Sequence, residues 1–300
     1  MKTFVEVAQA RSFTVAARRM GVSRATATKQ VAALETILGA RLLDRNSQFV
    51  SLTEAGSEML EGSVRLLEDL EGLAENVASS TGAARGTIRI GVPPSFGANH
   101  LIRAIAAFLE VSPKINIQLV LDDGTSNLVR EGIDVSIRIA TSLQSTGEIA
   151  KLLGRVRQLL VASPAYIARH GKPRTPLDLS EHNCLVHALK SPSDVWTFIG
   201  TEGQMAVHVS GTIRSNFGDP LRTAALFGQG ISIHPTYMVE QDIADGALVA
   251  LLPDYEPLAL DITAIYPQRR HLPARIRSFL DFTKDWLEGE GTFVIARDAS

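Results

Sequence analysis

The sequence predicts an α/β multidomain protein with three parts: an N-terminal winged helix-turn-helix, a long linker helix and a C-terminal two-lobed α/β domain. Three observations carry this prediction. Apolar residues in the first quarter recur at helical three- and four-residue steps, punctuated by Gly21 and Gly39. A small and polar run, Ser79-Ser80-Thr81-Gly82, then closes the helical part. Beyond it, short strand-like runs alternate with helical ones, the pattern of an α/β sheet.

The first helix covers residues 3–10, with Phe4, Val5, Val7 and Ala8 apolar. Ser12 caps a second helix carrying Phe13, Val15, Ala16, Ala17 and Met20. Gly21 ends it where a left-handed residue is needed. Val22 fills the turn, and Ser23 caps a third helix that runs to Leu38 and stops at Gly39. Ala27, Val31, Leu34 and Leu38 share one face of that helix. Helix, short glycine turn and helix make a helix-turn-helix, and the small pair Ala16-Ala17 lets two helices cross closely. The exposed face of the third helix carries Arg24, Thr26, Thr28 and Lys29, short or cationic groups that can enter a major groove. Ser23 is read as an N-cap whose helix end approaches a phosphate. Leu42-Leu43-Asp44-Arg45 and Phe49-Val50-Ser51-Leu52 form a two-stranded wing, with Arg45 as its cation.

Thr53 opens a helix that continues to about Ser80. Met59, Leu66, Leu70, Leu73 and Val77 follow a four-three spacing broken at Ser63, and Leu60, Leu67 and Ala74 widen the seam. The stripe is read as a seam for a second copy; a core helix is the alternative. Past the hinge, strands are expected at Thr87–Val92, Ile115–Leu121, Asp134–Ile139, Gln158–Ala162, Cys184–His187, Val195–Ile199, Val207–Ile213, Ile231–His234 and Leu260–Tyr266. Their alternation with helices argues for parallel pairing. The resulting domains are 1–57, 58–85 and 86–300, with lobe I at about 86–157 and 268–290 and lobe II at about 158–267.

Net charge is −2, but it is unevenly spread. Residues 1–57 carry eight Lys or Arg against four Asp or Glu, which makes this end the candidate for a polyanion. No stretch approaches the roughly eighteen apolar residues of a membrane span, and the first residues do not read as a signal peptide. The cytoplasm is the expected compartment. The single cysteine, Cys184, reads as a small buried hydrophobe. His182 and His187 lie near Cys184 and Glu181 without making a convincing metal set, and no catalytic motif is recognisable. No catalytic residue, metal or cofactor is expected. For a small-molecule site, the C-terminal ends of the strands are the place to look. Ser95 and Phe96 follow one strand and Thr141 another, while Asn216 and His234 face them from the second lobe and Trp196 walls the cleft. A solute-binding protein and a two-lobed enzyme would explain residues 86–290 equally well, but neither accounts for residues 1–57.

The chain resembles the LysR-type transcriptional regulators. Ser12-Phe13, Ala16-Ala17, Val22-Ser23, Thr28-Lys29-Gln30-Val31, Leu34-Glu35, Leu38-Gly39, Leu42-Leu43, Arg45 and Leu52-Thr53-Glu54-Ala55-Gly56 carry the resemblance. Gly86-Thr87-Ile88-Arg89-Ile90-Gly91, Gly230-Ile231-Ser232 and Tyr266-Pro267 are similar to the family's later landmarks. The resemblance implies an effector domain of periplasmic-binding-protein type and homodimers or dimer-of-dimers tetramers. It implies an interrupted palindrome in double-stranded DNA as target, a small co-inducer between the lobes, and RNA polymerase as a further partner. Thr53 is implied as a backbone contact at the start of the linker helix. Arg24 stands where the family usually has Gln, so base preference differs while docking does not. The wing holds fewer arginines than usual. Met1 lies close before Phe4, so a start upstream or a shortened first turn is expected.

Overall fold

The computed structural model describes residues 1–45, 50–79, 84–122, 128–141, 148–188, 193–267, 272–291 and 293–294. Three helices open it: α1 (Lys2–Ala10), α2 (Phe13–Arg19) and α3 (Arg24–Leu38). Ser12 Oγ accepts from the Val15 amide and Ser23 Oγ from the Thr26 amide, so both expected caps form. Gly21 and Gly39 take left-handed φ values of 66° and 65°, as the helix ends require. Phe4, Val7, Ala16, Ala27 and Val31 are fully buried together, whereas Leu38, expected on the same face, is exposed and outside that cluster. A hairpin of β1 (Leu43–Arg45) and β2 (Val50–Leu52) forms the wing; residues 46–49 lie outside the described set.

Helix α4 (Glu54–Ser79) leaves the wing. Its first half is part of the small domain's core: Val64 is buried there, and Met59, Leu60 and Leu67 pack against it. This corrects the seam, which had counted Met59, Leu60 and Leu67 among its members. Helix α1 packs against α4, and its buried apolar residues share one cluster with the inward stripe. Leu66 and Leu70 point away, 59% and 61% exposed. The side chains of Leu73, Ala74 and Val77 lie outside the described residues.

Lobe I begins with β3 (Gly86–Val92), α5 (Pro94–Phe96), a π-helical turn at Gly97–Leu101 and α6 (Ile102–Val111). It continues through β4 (Ile115–Leu121), α7 (Leu128–Glu131), β5 (Val135–Ala140) and β6 (Ile149–Val156). Lobe II holds β7 (Gln158–Ala162), α8 (Pro164–His170), β8 (Cys184–His187), β9 (Val195–Gly200), β10 (Gly203–His208), β11 (Arg214–Ser215) and α9 (Gly218–Leu226). It ends with β12 (Ile231–Pro235), α10 (Thr236–Ala244), β13 (Val249–Leu251) and β14 (Glu256–Pro257). The chain then returns to lobe I through β15 (Leu260–Tyr266), α11 (Ala274–Gly289) and β16 (Phe293–Val294).

The lobe I sheet runs β16-β6-β15-β5-β3-β4, and the larger lobe II sheet runs β11-β8-β12-β7-β13. Two expectations are corrected here. Leu260–Tyr266 was placed in lobe II, yet β15 lies between β5 and β6 in lobe I. Its mostly apolar run, interrupted by Asp261 and Thr263, marks a strand largely covered on both faces, but periodicity does not say which sheet receives it. The sheets are mixed, not parallel: β15 runs antiparallel to both neighbours, and β7 runs antiparallel to β12 and β13. Two short segments, Arg157 and Leu258-Ala259, join the lobes. They are tied together: Gln158 Nε2 donates to Leu258 O at 2.6 Å, and the Thr236 amide donates to Arg157 O at 2.9 Å.

Candidate functional site

Two surfaces carry the chemistry that the sequence suggests. The first is the start and outer face of α3. Ser23 Oγ accepts from the Thr26 amide at 3.0 Å and shares a hydrogen bond with Thr26 Oγ1 at 2.8 Å. Thr28 Oγ1 donates to Arg24 O at 2.9 Å, which leaves the hydroxyl oxygen free to accept from a ligand. Arg24 and Lys29 are exposed, and among the described residues neither has an ion-pair partner. Two cations and three hydroxyls thus gather around the first turns of α3, at the positive end of its dipole, an arrangement suited to phosphate oxygens and base edges.

The helix is held in that pose by side-chain bonds to α1 and the wing. Thr3 Oγ1 donates to Gln30 Oε1 at 2.5 Å, tying α1 to α3. Glu35 Oε1 accepts both the Leu42 and Leu43 amides, at 2.9 and 3.1 Å, fixing α3 against the wing. Thr53 caps α4: its Oγ1 accepts from the Gly56 amide at 2.9 Å and donates to Arg41 O at 2.7 Å. A Cβ on Gly56 would stand 1.9 Å from Leu42 O, so only glycine allows this approach of helix and wing. The Arg45 side chain lies outside the described set.

The second surface is the cleft between the lobes. Ser95 lies in the first turn of the helical run that starts at Pro94, and its Oγ donates to Asp219 Oδ2 across the cleft at 2.6 Å. Asn99 Nδ2 donates to Ser95 O at 3.0 Å, steadying that turn. Asp219 occupies the first turn of α9, directly after the exposed Asn216 and Phe217. The structure therefore brings Ser95 and the start of α9 together across the lobe boundary, with Asn216 two residues before that helix. Thr141 is exposed at the end of β5, beside residues 142–147 outside the described set.

Three predicted cleft residues are corrected. Trp196 does not wall the cleft: it is 4% exposed, packed in the lobe II core with Leu160 and Phe198. Phe96 is fully buried in lobe I, with its ring 5.6 Å from Tyr237 and 6.0 Å from Phe293. His234 is buried beneath the start of α9; a Cβ on Gly218 would come within 3.8 Å of its Nδ1. All three are apolar or aromatic enough to be core, and burial won. Asp219 was missed, since an acid in a first helical turn is ordinary and its partner lies far away in sequence.

Beside the hinge, His100 lies in the π-helical turn, its ring 4.9 Å from Tyr237 and 5.8 Å from Phe293. Burial, aided by the nearby Arg103 charge, holds its pKa below the ordinary histidine value. The bond to the Tyr237 backbone and the charges of Glu290 and Glu240 oppose this. His182, bonded through Nδ1 to the Tyr166 hydroxyl at 3.1 Å, is lowered by burial and by His170, against Asp178 and Glu181. Cys184 is buried, with its thiol pushed up to about 12 by desolvation, which makes it a poor nucleophile. No helix among the described residues is long and apolar enough to cross a membrane.

Comparison with known proteins covers both surfaces. Residues 1–57 match the family described as bacterial regulatory helix-turn-helix protein, lysR family, and residues 81–288 match the LysR substrate binding domain. The HTH-type transcriptional regulator PtxR of Pseudomonas aeruginosa is 32% identical over 287 residues, 96% of this chain and 92% of that protein. The regulator DmlR of Escherichia coli is also 32% identical, covering 95% of this chain and 93% of its own. Among solved structures, the full-length virulence activator AphB of Vibrio cholerae is similar with a TM-score of 0.59 at 30% identity. That match covers 95% of this chain and 97% of that one.

Proposed function

The chain belongs to the LysR family of bacterial helix-turn-helix regulators, and we propose that it reads DNA with Arg24, Thr26, Thr28 and Lys29 while a small molecule between its lobes sets the outcome. It is a DNA-binding transcriptional regulator with an effector-binding domain. The observation that carries the residue assignment is the pair of exposed cations Arg24 and Lys29, without ion-pair partners among the described residues, flanking the threonines at the start of α3. Arg24 suits guanine O6 and N7, Thr28 a thymine methyl or base edge, and Lys29 a phosphate. Ser23 and the α3 amides, with Thr53 at the start of α4, lie where helix ends meet backbone phosphates, and Arg45 serves the wing. Effector contacts fall to Ser95, Thr141 and Asn216, with Asp219 added.

The exposed Leu66 and Leu70 support a homodimer built along α4, and two such dimers would make the tetramer. RNA polymerase is the machinery whose access or recruitment such a DNA-bound assembly changes, and the cytoplasm is the compartment proposed for it. The reading is tested by selecting bound duplexes from a random-sequence pool with the full-length protein. An interrupted palindrome, its half-sites about one helical turn or a multiple apart, is expected. Enrichment of no sequence, with folded protein present, would contradict the assignment.

A further inference from the structure

We propose that Ser95 and Asp219 form a latch that holds the ligand-free cleft shut, and that an effector acts by supplying its own donor to the Asp219 carboxylate in place of Ser95. The proposal rests on the cleft reading above and adds to it how the site is regulated.

Four observations lead there. The bond runs from Ser95 Oγ to Asp219 Oδ2 at 2.6 Å and joins the first turn of a lobe I helix to the first turn of a lobe II helix. Among the described residues, the other ties between the lobes lie near the hinge, where Thr236 meets Arg157 and the Phe96 and His100 rings pack on Tyr237. Those ties are backbone or ring contacts, whereas Ser95–Asp219 is a side-chain bond between opposing helix starts, which separation of those starts would break. Arg222, the cation nearest along α9, is committed elsewhere: its Nε and Nη2 grip both oxygens of Asp242 at 2.5 and 2.6 Å. Its charge still acts on Asp219, but its hydrogen bonds go to Asp242, so the Asp219 carboxylate accepts from Ser95 across the cleft. Finally, both latch residues are partly solvated, so the bond is exchangeable and a ligand hydroxyl or ammonium can displace the serine. Lobe closure then becomes a population that ligand binding shifts.

Distance measurement between spin labels on the full-length protein tests this. Glu202→Cys in lobe II and Glu288→Cys in lobe I put labels at exposed sites, Cys184 being buried and spared. Labelled chains are diluted with unlabelled protein so that distances within one chain dominate. Ser95→Ala and Asp219→Ala are each expected to lower the closed-to-open ratio about three- to tenfold, the range of one partly exposed hydrogen bond. The double variant is expected to do no more than either single change. Ser95→Thr, which keeps the hydroxyl, is expected to keep the closed population, and it guards against an effect of altered folding. Unchanged distances in both alanine variants, or effects that simply add, would overturn the latch. The cleft assignment would survive that result, because a thermal-shift screen of metabolites reads ligand binding without reference to this bond.

Discussion

Arg24 stands at the first position of α3, its guanidinium exposed beside a capped helix end. If it reads a base, Arg24→Ala costs about 1–3 kcal/mol on the preferred duplex and relaxes selection at one base position. Competition binding against single-base variants checks this; an equal loss on every sequence would make Arg24 a phosphate contact instead. Gly56 carries a different residue-level expectation. Because its Cβ would collide with the Leu42 carbonyl, Gly56→Ala should lower the stability of the winged domain by at least about 1–3 kcal/mol, the usual cost of overpacking. A melting curve of the full chain that matches wild type would contradict that geometry. Histidines set the pH response. His100 and His182 both hold protons less readily folded than unfolded, so the unfolded chain binds more protons on acidification. Their contribution is full above about pH 6.5 and is lost as pH falls below it. Thermal unfolding of the effector domain at pH 7.5 and 5.5 should show this loss, and His100→Gln should flatten it.

At the scale of elements, α4 does two jobs with two faces. Met59, Leu60, Val64 and Leu67 complete the winged domain, and Leu66 and Leu70 are left outside. Leu70→Glu should therefore split the proposed dimer without unfolding the small domain, seen as a fall in sedimentation coefficient with an unchanged circular dichroism spectrum. A variant that sediments as wild type would place the interface elsewhere. The helix ends were legible in the sequence because their signals are local. Ser12, Ser23, Gly21 and Gly39 act within a turn of where they stand. The two faces of α4 were not, since a heptad-like stripe says that a helix buries something but not against which neighbour.

Across the whole molecule, the same distinction separates what the sequence disclosed from what it withheld. The order of domains follows from local periodicity and from the break near residues 79–82. The partner sheet of β15 does not, because β15 is claimed by β5 and β6 only after lobe II has been completed in between. Trp196, Phe96 and His234 show the limit at the site: polarity and position near strand ends suggested a cleft, yet each ring is taken up by a core. Asp219 lies 124 residues from Ser95, and no local pattern announces a hydrogen bond of that span. The outer face of α3 was readable because it is defined by what does not pack there.

That face is also where the account is most exposed to test. A photoreactive side chain placed at Lys29, with a second variant carrying it at Glu202 on lobe II, can be irradiated on a selected duplex under conditions where each variant remains bound. The account predicts crosslinks to DNA from position 29 and none from position 202. Bound protein that crosslinks from neither position, or from 202 alone, would contradict the claim that α3 presents its cationic, hydroxyl-bearing face to the duplex.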